Sequence, residues 1–331
     1  MANLQTSYLK LPLKNPLIVG ACPLTGDLDK LKQIEDAGAA AVVLPSLFEE
    51  QIQLHGMGLS QFPPDDDDNL PPALQHIPHM DEYNRGANGY LAYIYQAKKA
   101  VSVPVIASIN GYYAGGWVQY ARLIEAAKAD ALELNVYYLP TKPNITGAEV
   151  EEMYVKLIHD VKAHVSIPVA VKLSPYFSAL SNIAHRFEAA GANGLVLFNR
   201  FYQPEIDPES KRVSSALQFS TPAELRLRLR WTGILRSQVD MGLCISGGVH
   251  SGRDMIKGLM AGADAVMSVS ALYQNGIGHI QTMLTELEEW LEAHEYGSLT
   301  DIKASVSRER VKDTSAFERA NYMQVLSSHK E

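Results

Sequence analysis

The chain has 331 residues, 47% of them hydrophobic and 20% charged, with a formal net charge of −8. That balance suits one large α/β domain or two small ones, and it argues against nucleic acid held on a basic surface. Cys22 and Cys244 are the only cysteines, both within apolar runs, which argues against a disulfide framework. No signal-peptide pattern and no apolar run of roughly 18 residues is present, so a soluble cytoplasmic protein without membrane contact is expected.

In chain order, TSYLKLPLK (6–14) reads as a hairpin. Eight apolar, β-rich runs follow at 15–21, 39–46, 104–110, 131–136, 168–174, 194–199, 242–246 and 265–271, with Glu133 and Lys172 as the internal charges. Near-continuous hydrophobicity over such short runs marks parallel strands covered on both faces. Amphipathic helical patterns separate them, and a last one, HIQTMLTELEEWLEAHEYG, follows the eighth run. Eight strands each followed by a helix predict a (β/α)8 TIM barrel of the α/β class; a doubly wound open sheet is the alternative, disfavoured by the count.

Repeated junctions support this arrangement: AGAAA (37–41), AGANG (190–194) and AGADA (261–265), with AKADA (127–131) as a looser copy, and SVPVIAS beside SIPVAVK. Two long insertions follow the second and sixth strands, at 47–88 and 200–221, on the barrel face where active sites lie. The Asp65–Asp68 run in the first reads as a solvated loop. Residues 1–297 are read as a single barrel domain and 298–331 as a polar C-terminal extension.

The segment Gly242–Gly276 carries the clearest functional signal. It reads strand, Gly247–Gly248 turn, helix, then a strand ending near Ser270. Glycines admit close approach to backbone amides, and the helix after them aims its unpaired N–H groups at the same place. With no carboxylate nearby in sequence, this is a phosphate site of the kind built after the last two strands of a barrel. The other polar residues at strand ends are Asn110, Asn135, Lys172 and Asn199. A lysine inside VAVKLS must face the barrel mouth and meet an anionic or π-rich partner there, unless it pairs with Glu133 one strand over. The asparagines offer fixed donor–acceptor pairs for a flat heterocycle edge. No metal site is expected, because no His pair has ligand spacing.

The segments NPLIVGA, ELNVYYLPTKPN, VAVKLSPYF, LVLFN and ISGGVHSGRD…AGADAVMSVSAL together resemble the dihydroorotate dehydrogenase family of FMN-dependent barrels, its soluble class 1 branch above all. The resemblance implies FMN as cofactor, with Lys172 stabilising negative charge on the reduced ring and Asn110 touching the isoalloxazine. It implies that Gly247, Gly248, Val269 and Ser270 cradle the phosphate and that Gly20 and Ala21 pack on the ring. It assigns Asn135 and Asn199 to the substrate, with Asn135 also beside the cofactor, and Asn84 to a substrate loop. It further implies a small-molecule substrate, a homodimer and room for a redox partner protein.

The departures from the family pattern are specific. Where the family has N-x-S-[CS]-P-N, the chain reads Asn135-Val136-Tyr137-Tyr138-Leu139-Pro140, so Tyr138 stands at the position of the catalytic base and Pro140 at a substrate asparagine. Leu44-Pro45-Ser46 replaces Thr-Lys-[ST], and Arg200 follows Asn199 where a hydroxyl residue is usual. A phenol with a pKa near ~10 is a poor base and a serviceable acid. The expectation is therefore hydride transfer between flavin N5 and a small planar anionic substrate, dihydroorotate or orotate by resemblance. Arg200 replaces the lost lysine as an anion anchor. The alternatives are a flavin-dependent reductase of another substrate with Tyr138 as acid, a non-catalytic FMN-binding electron-transfer subunit, and a flavin-free sugar-phosphate barrel.

Overall fold

The structure, a computed structural model, describes residues 2–49, 86–111, 114–200, 202–215 and 217–328. Two short strands, β1 (Thr6–Tyr8) and β2 (Leu11–Leu13), form the N-terminal hairpin, with Thr6 opposite Leu13. The barrel strands are β3 (Leu17–Val19), β4 (Ala41–Phe48), β5 (Val105–Gly111), β6 (Ala131–Val136), β7 (Val169–Leu173) and β8 (Gly194–Leu197). After a second hairpin, β9 (Pro204–Asp207) with β10 (Arg212–Ser215), come β11 (Gly242–Ser246) and β12 (Ala265–Ser268). Strands β3 to β8, β11 and β12 pair in parallel and close on themselves through β12 and β3, as the eight apolar runs predict.

Two apolar layers hold the barrel. Alternate residues of each strand point inward, and Ile18, Val43, Ile106, Ala170, Val196, Cys244 and Met267 fill the interior. Their neighbours, such as Leu17, Val42, Val105 and Val171, pack outward against the helices. Each strand therefore reads as continuously apolar although its residues serve two different cores.

The repeated junctions have a common mechanical role. The side chains of Asp130, Asn193 and Asp264, each just before a strand, accept an N–H at the start of the preceding strand, from Val105 (2.7 Å), Val169 (2.9 Å) and Leu243 (2.7 Å). Glu35, Glu125 and Glu188, near helix C-termini, accept backbone N–H groups of Ser102, Ser166 and Asp240. Each would otherwise be an unpaired donor at a strand entrance. The Glu125 carboxyl is lowered by the Ser166 hydroxyl and by backbone donors, as expected for an acceptor that must stay ionised.

The N-terminal hairpin closes the far end of the barrel. Tyr8, Leu9 and Leu13 are buried with the interior residues, and the Thr6 hydroxyl donates to the Asp264 carbonyl at 2.9 Å. Gly194 and Gly242 make room for this plug. A Cβ on Gly194 would lie 2.6 Å from Leu9 Cδ2 and 3.2 Å from Tyr8. Gly194→Ala is expected to destabilise the fold by about 1–3 kcal/mol through overpacking, read as a lower urea midpoint with an unchanged slope.

The insertion after the sixth barrel strand contains the exposed β9–β10 hairpin. Most of the first insertion, with the Asp65–Asp68 run, lies outside the described residues. Residues after 298 continue across the helices Leu225–Leu235 and Gly252–Ala261: backbone N–H groups of Ala304, Val306 and Arg308 donate to the carbonyls of Leu259, Met260 and Gly233. Among the described residues no helix is long and apolar enough to cross a membrane, and no group of three His, Cys, Asp or Glu side chains is placed to hold a metal.

Candidate active site

The C-terminal ends of the barrel strands open into a cavity of about 480 Å³, within the range of cofactor-sized sites. Ten of the residues expected at the site line it: Ala21, Asn110, Asn135, Lys172, Asn199, Arg200, Gly247, Gly248, Val269 and Ser270. Gly20 sits just behind the wall, where a Cβ would lie 3.1 Å from Val269 Cγ2. Asn84 lies outside the described residues.

The strand alternation decides which side chains face the cavity. In β6, Ala131 belongs to the interior, whereas Leu132, Leu134 and Val136 pack against the helices. Glu133 and Asn135 therefore point inward, and the same period carries Tyr137 into the cavity lining. Tyr138 falls on the opposite side and packs on the helix-facing core. The expectation put Tyr138 at the base position; in the structure Tyr137, one residue earlier, lines the cavity, because the loop keeps the period of the strand it leaves. The signal was in the sequence, two residues beyond Asn135.

Lys172 and Glu133 form a buried pair, with Nζ 3.5 Å from Oε1 and side-chain exposures of 9% and 1%. Glu133 Oε2 has no hydrogen-bond partner among the described residues. The pair does not consume the lysine, which also lines the cavity. Asn199 Nδ2 donates to Asn135 Oδ1 at 2.8 Å, which ties the two amides together and leaves the Asn199 oxygen and Asn135 nitrogen for a ligand. The Ser46 and Ser108 hydroxyls bond at 2.8 Å. Both cysteine thiols are raised by burial, Cys244 strongly, so neither presents a ready thiolate.

At the glycine end, Gly247 and Gly248 have φ of +90° and +80°. Arg228 lies against them: its Nε donates to the Ser246 carbonyl and its Nη1 to the Glu224 carbonyl, both at 2.9 Å. The Gly248 N–H meets Ser220 Oγ at 3.3 Å, and Ser220 also bonds Ser270 Oγ at 3.0 Å. Burial holds the His250 imidazole below its usual value, and its Nε2 lies 3.3 Å from Ser220 Oγ.

Two details differ from the sequence expectation. Ser270 opens a short helix, Ser270–Asn275, instead of ending a strand. A carboxylate is present after all: Glu224 lines the cavity, 3.5 Å from Arg200 Nη1 and 3.7 Å from Arg228 Nη2. Two cations against one anion leave this end net positive. Arg200 Nη1 is buried without a hydrogen-bond partner among the described residues.

Arg228, Ser220, Glu224 and Tyr202 were missed by sequence reasoning. Arg228 sits in LRLRLR, whose alternation imitates a strand, so its inward turn on a helix is visible only at a period of 3.6. Ser220 and Glu224 come from loops that tertiary packing places.

The closed parallel barrel with a polar, cation-bearing cavity at its C-terminal mouth defines an α/β-barrel enzyme. The family model for dihydroorotate dehydrogenase matches residues 74–291. The chain belongs to the dihydroorotate dehydrogenase family and is an oxidoreductase acting on CH–CH groups. It is 29% identical over 233 residues to the dihydroorotate dehydrogenase B (NAD(+)) catalytic subunit of Shouchella clausii, covering 69% of this chain and 70% of that one. It is 26% identical over 311 residues to the protein of the same name from Thermoplasma acidophilum, covering 91% and 98%.

Proposed function

We propose that the cavity binds FMN and that the chain interconverts a dihydroorotate-like substrate and its planar, oxidised form. The observation that supports this most is one cavity holding Lys172, Asn110, Asn135 and Asn199 at one end and the Gly247–Gly248 turn with Arg228 at the other. The residues fit the cofactor. The glycine turn has no room for a Cβ (Gly248's would lie 2.5 Å from Leu225 N), and the excess cation at that end suits a phosphate.

When bound, FMN supplies the hydride chemistry. In the proposal Lys172 holds a positive charge beside the ring, where charge accumulates on reduction. Asn135 and Asn199 orient the substrate edge, and Arg200 anchors its anionic group. Tyr137 handles the proton at its phenol oxygen. Its hydroxyl is raised by burial and further by Tyr176 and Tyr202, so it stays protonated near neutrality. That state suits proton donation to carbon during reduction of an activated double bond more than proton removal. The sequence has two cysteines and no cluster of them, so electrons from an iron–sulfur donor would come through a separate partner chain.

The test is the absorbance spectrum of the purified protein, then anaerobic mixing with dihydroorotate and, after reduction, with orotate. A yellow protein reoxidised by orotate supports the reading; a protein that takes up no flavin sinks it. Tyr137→Phe is expected to slow substrate-dependent flavin oxidation about 10²- to 10⁴-fold, the range of a general acid, with flavin content unchanged. Tyr138→Phe is expected to leave that rate within about twofold, since its side chain is not among those that line the cavity. Stopped-flow traces of the two variants separate these outcomes.

A further inference from the structure

A second concavity lies on the outside of the barrel. The helices Leu225–Leu235 and Gly252–Ala261 form its floor and the C-terminal segment its far wall, enclosing about 750 Å³. The walls are apolar, with Leu229, Met260, Val311 and Phe317 among them. The segment is tied in place by the backbone bonds to Leu259, Met260 and Gly233 and by Phe317, whose ring fills the space over Gly233.

The rim is cationic. Arg226, Arg230 and Lys257 border the cleft. Lys257 is answered by Asp254 at 3.2 Å, and nearby Arg308 by Glu318 at 2.8 Å. Arg226 and Arg230 are exposed and meet no acidic side chain among the described residues. Four positions apart on one helix, they are neighbours on its surface, so one carboxylate head can reach both guanidinium groups, which match it in geometry. Two positions from each lies Arg228, about 200° around the helix, turned toward the catalytic cavity. The two concavities therefore share one helix and use opposite faces of it.

We propose that this cleft binds a free long-chain carboxylate, its tail along the apolar walls and its head between Arg226 and Arg230. The chain's own exposed apolar helix, Ala320–Ser328, makes a poorer occupant from a second copy. Its Tyr322, Met323, Val325 and Leu326 are each more than half exposed, but it carries no acidic residue and would leave both arginines unanswered.

The test is calorimetric titration of the full chain with laurate below its micelle threshold. Saturable one-to-one binding is expected, weakened at least about tenfold in the Arg226→Ala/Arg230→Ala double variant, as for loss of charge-assisted bonds. Ala316→Trp, at an exposed wall position, is expected to abolish binding by filling the cleft with the fold intact by circular dichroism. The proposal is overturned by the absence of saturable binding to the unaltered chain, by equal affinity in the double arginine variant, or by binding that survives Ala316→Trp. Saturation only by phospholipid vesicles or only by an acidic amphipathic peptide also overturns it, and reassigns the face to a membrane or a protein.

Discussion

Lys172→Ala is expected to cost the protein both stability and turnover, and a second substitution separates the two losses. Glu133 is 1% exposed and its partner cation is 3.5 Å away. Removing the lysine leaves a carboxylate buried without its countercharge, which costs about 3–5 kcal/mol. It also removes the positive charge that the proposed mechanism sets beside the reduced ring, worth about 10²- to 10³-fold in rate by analogy with loss of one oxyanion donor. Adding Glu133→Gln restores most of the lost stability, because an amide tolerates burial better than an uncompensated charge. It does not restore the rate. Thermal melts and single-turnover flavin reduction on the two single variants and the double variant decide this. A Lys172→Ala protein that melts like the parent would mean that the pair contributes nothing to the fold.

Gly248→Ala is expected to abolish flavin binding at the proposed cofactor site. The residue holds φ +80°, and a Cβ there would lie 2.5 Å from Leu225 N and 2.9 Å from Leu225 Cα, both backbone atoms. The left-handed conformation alone costs a non-glycine residue about 1–2 kcal/mol. The clash must in addition push away the start of the helix that delivers Arg228 to the Ser246 carbonyl. Gly276→Ala is the control: it has φ +85° and nothing within 4 Å of its Cβ, so it bears only the backbone strain. The ratio of flavin to protein absorbance after gel filtration is expected to collapse in the first variant and hold in the second. Equal flavin retention in both would place the phosphate elsewhere in the cavity.

How much of this was legible beforehand depended on whether a signal was local. The barrel strands were readable because parallel strands flanked by two cores must be apolar at nearly every position, and the exceptions Glu133 and Lys172 then stand out as a pair. Gly247 and Gly248 were readable because a left-handed turn has few tolerated residues. Family alignment pointed to Tyr138, whereas the strand period carries Tyr137 into the cavity lining. The Arg228 contact was hidden because LRLRLR satisfies a strand pattern while folding as a helix. Ser220 and Glu224 reach the site from a loop whose course depends on what it packs against, which no local rule encodes. Asn15, by contrast, illustrates a role that composition never signals: its side chain ties the Gly38 carbonyl (2.7 Å) to the Leu17 N–H (3.0 Å).

The hairpin that seals the barrel floor also sets an order of events during synthesis. Residues 6–13 leave the ribosome well before the strands that receive them, since their seat is built from Gly194 and Gly242, and Thr6 completes it by bonding Asp264. Until those later strands have emerged and paired, Tyr8, Leu9 and Leu13 have no interior to enter. A segment made before those strands is thus among the last to dock, a long-range closure of the kind that slows folding and leaves apolar surface open to chaperones in the meantime.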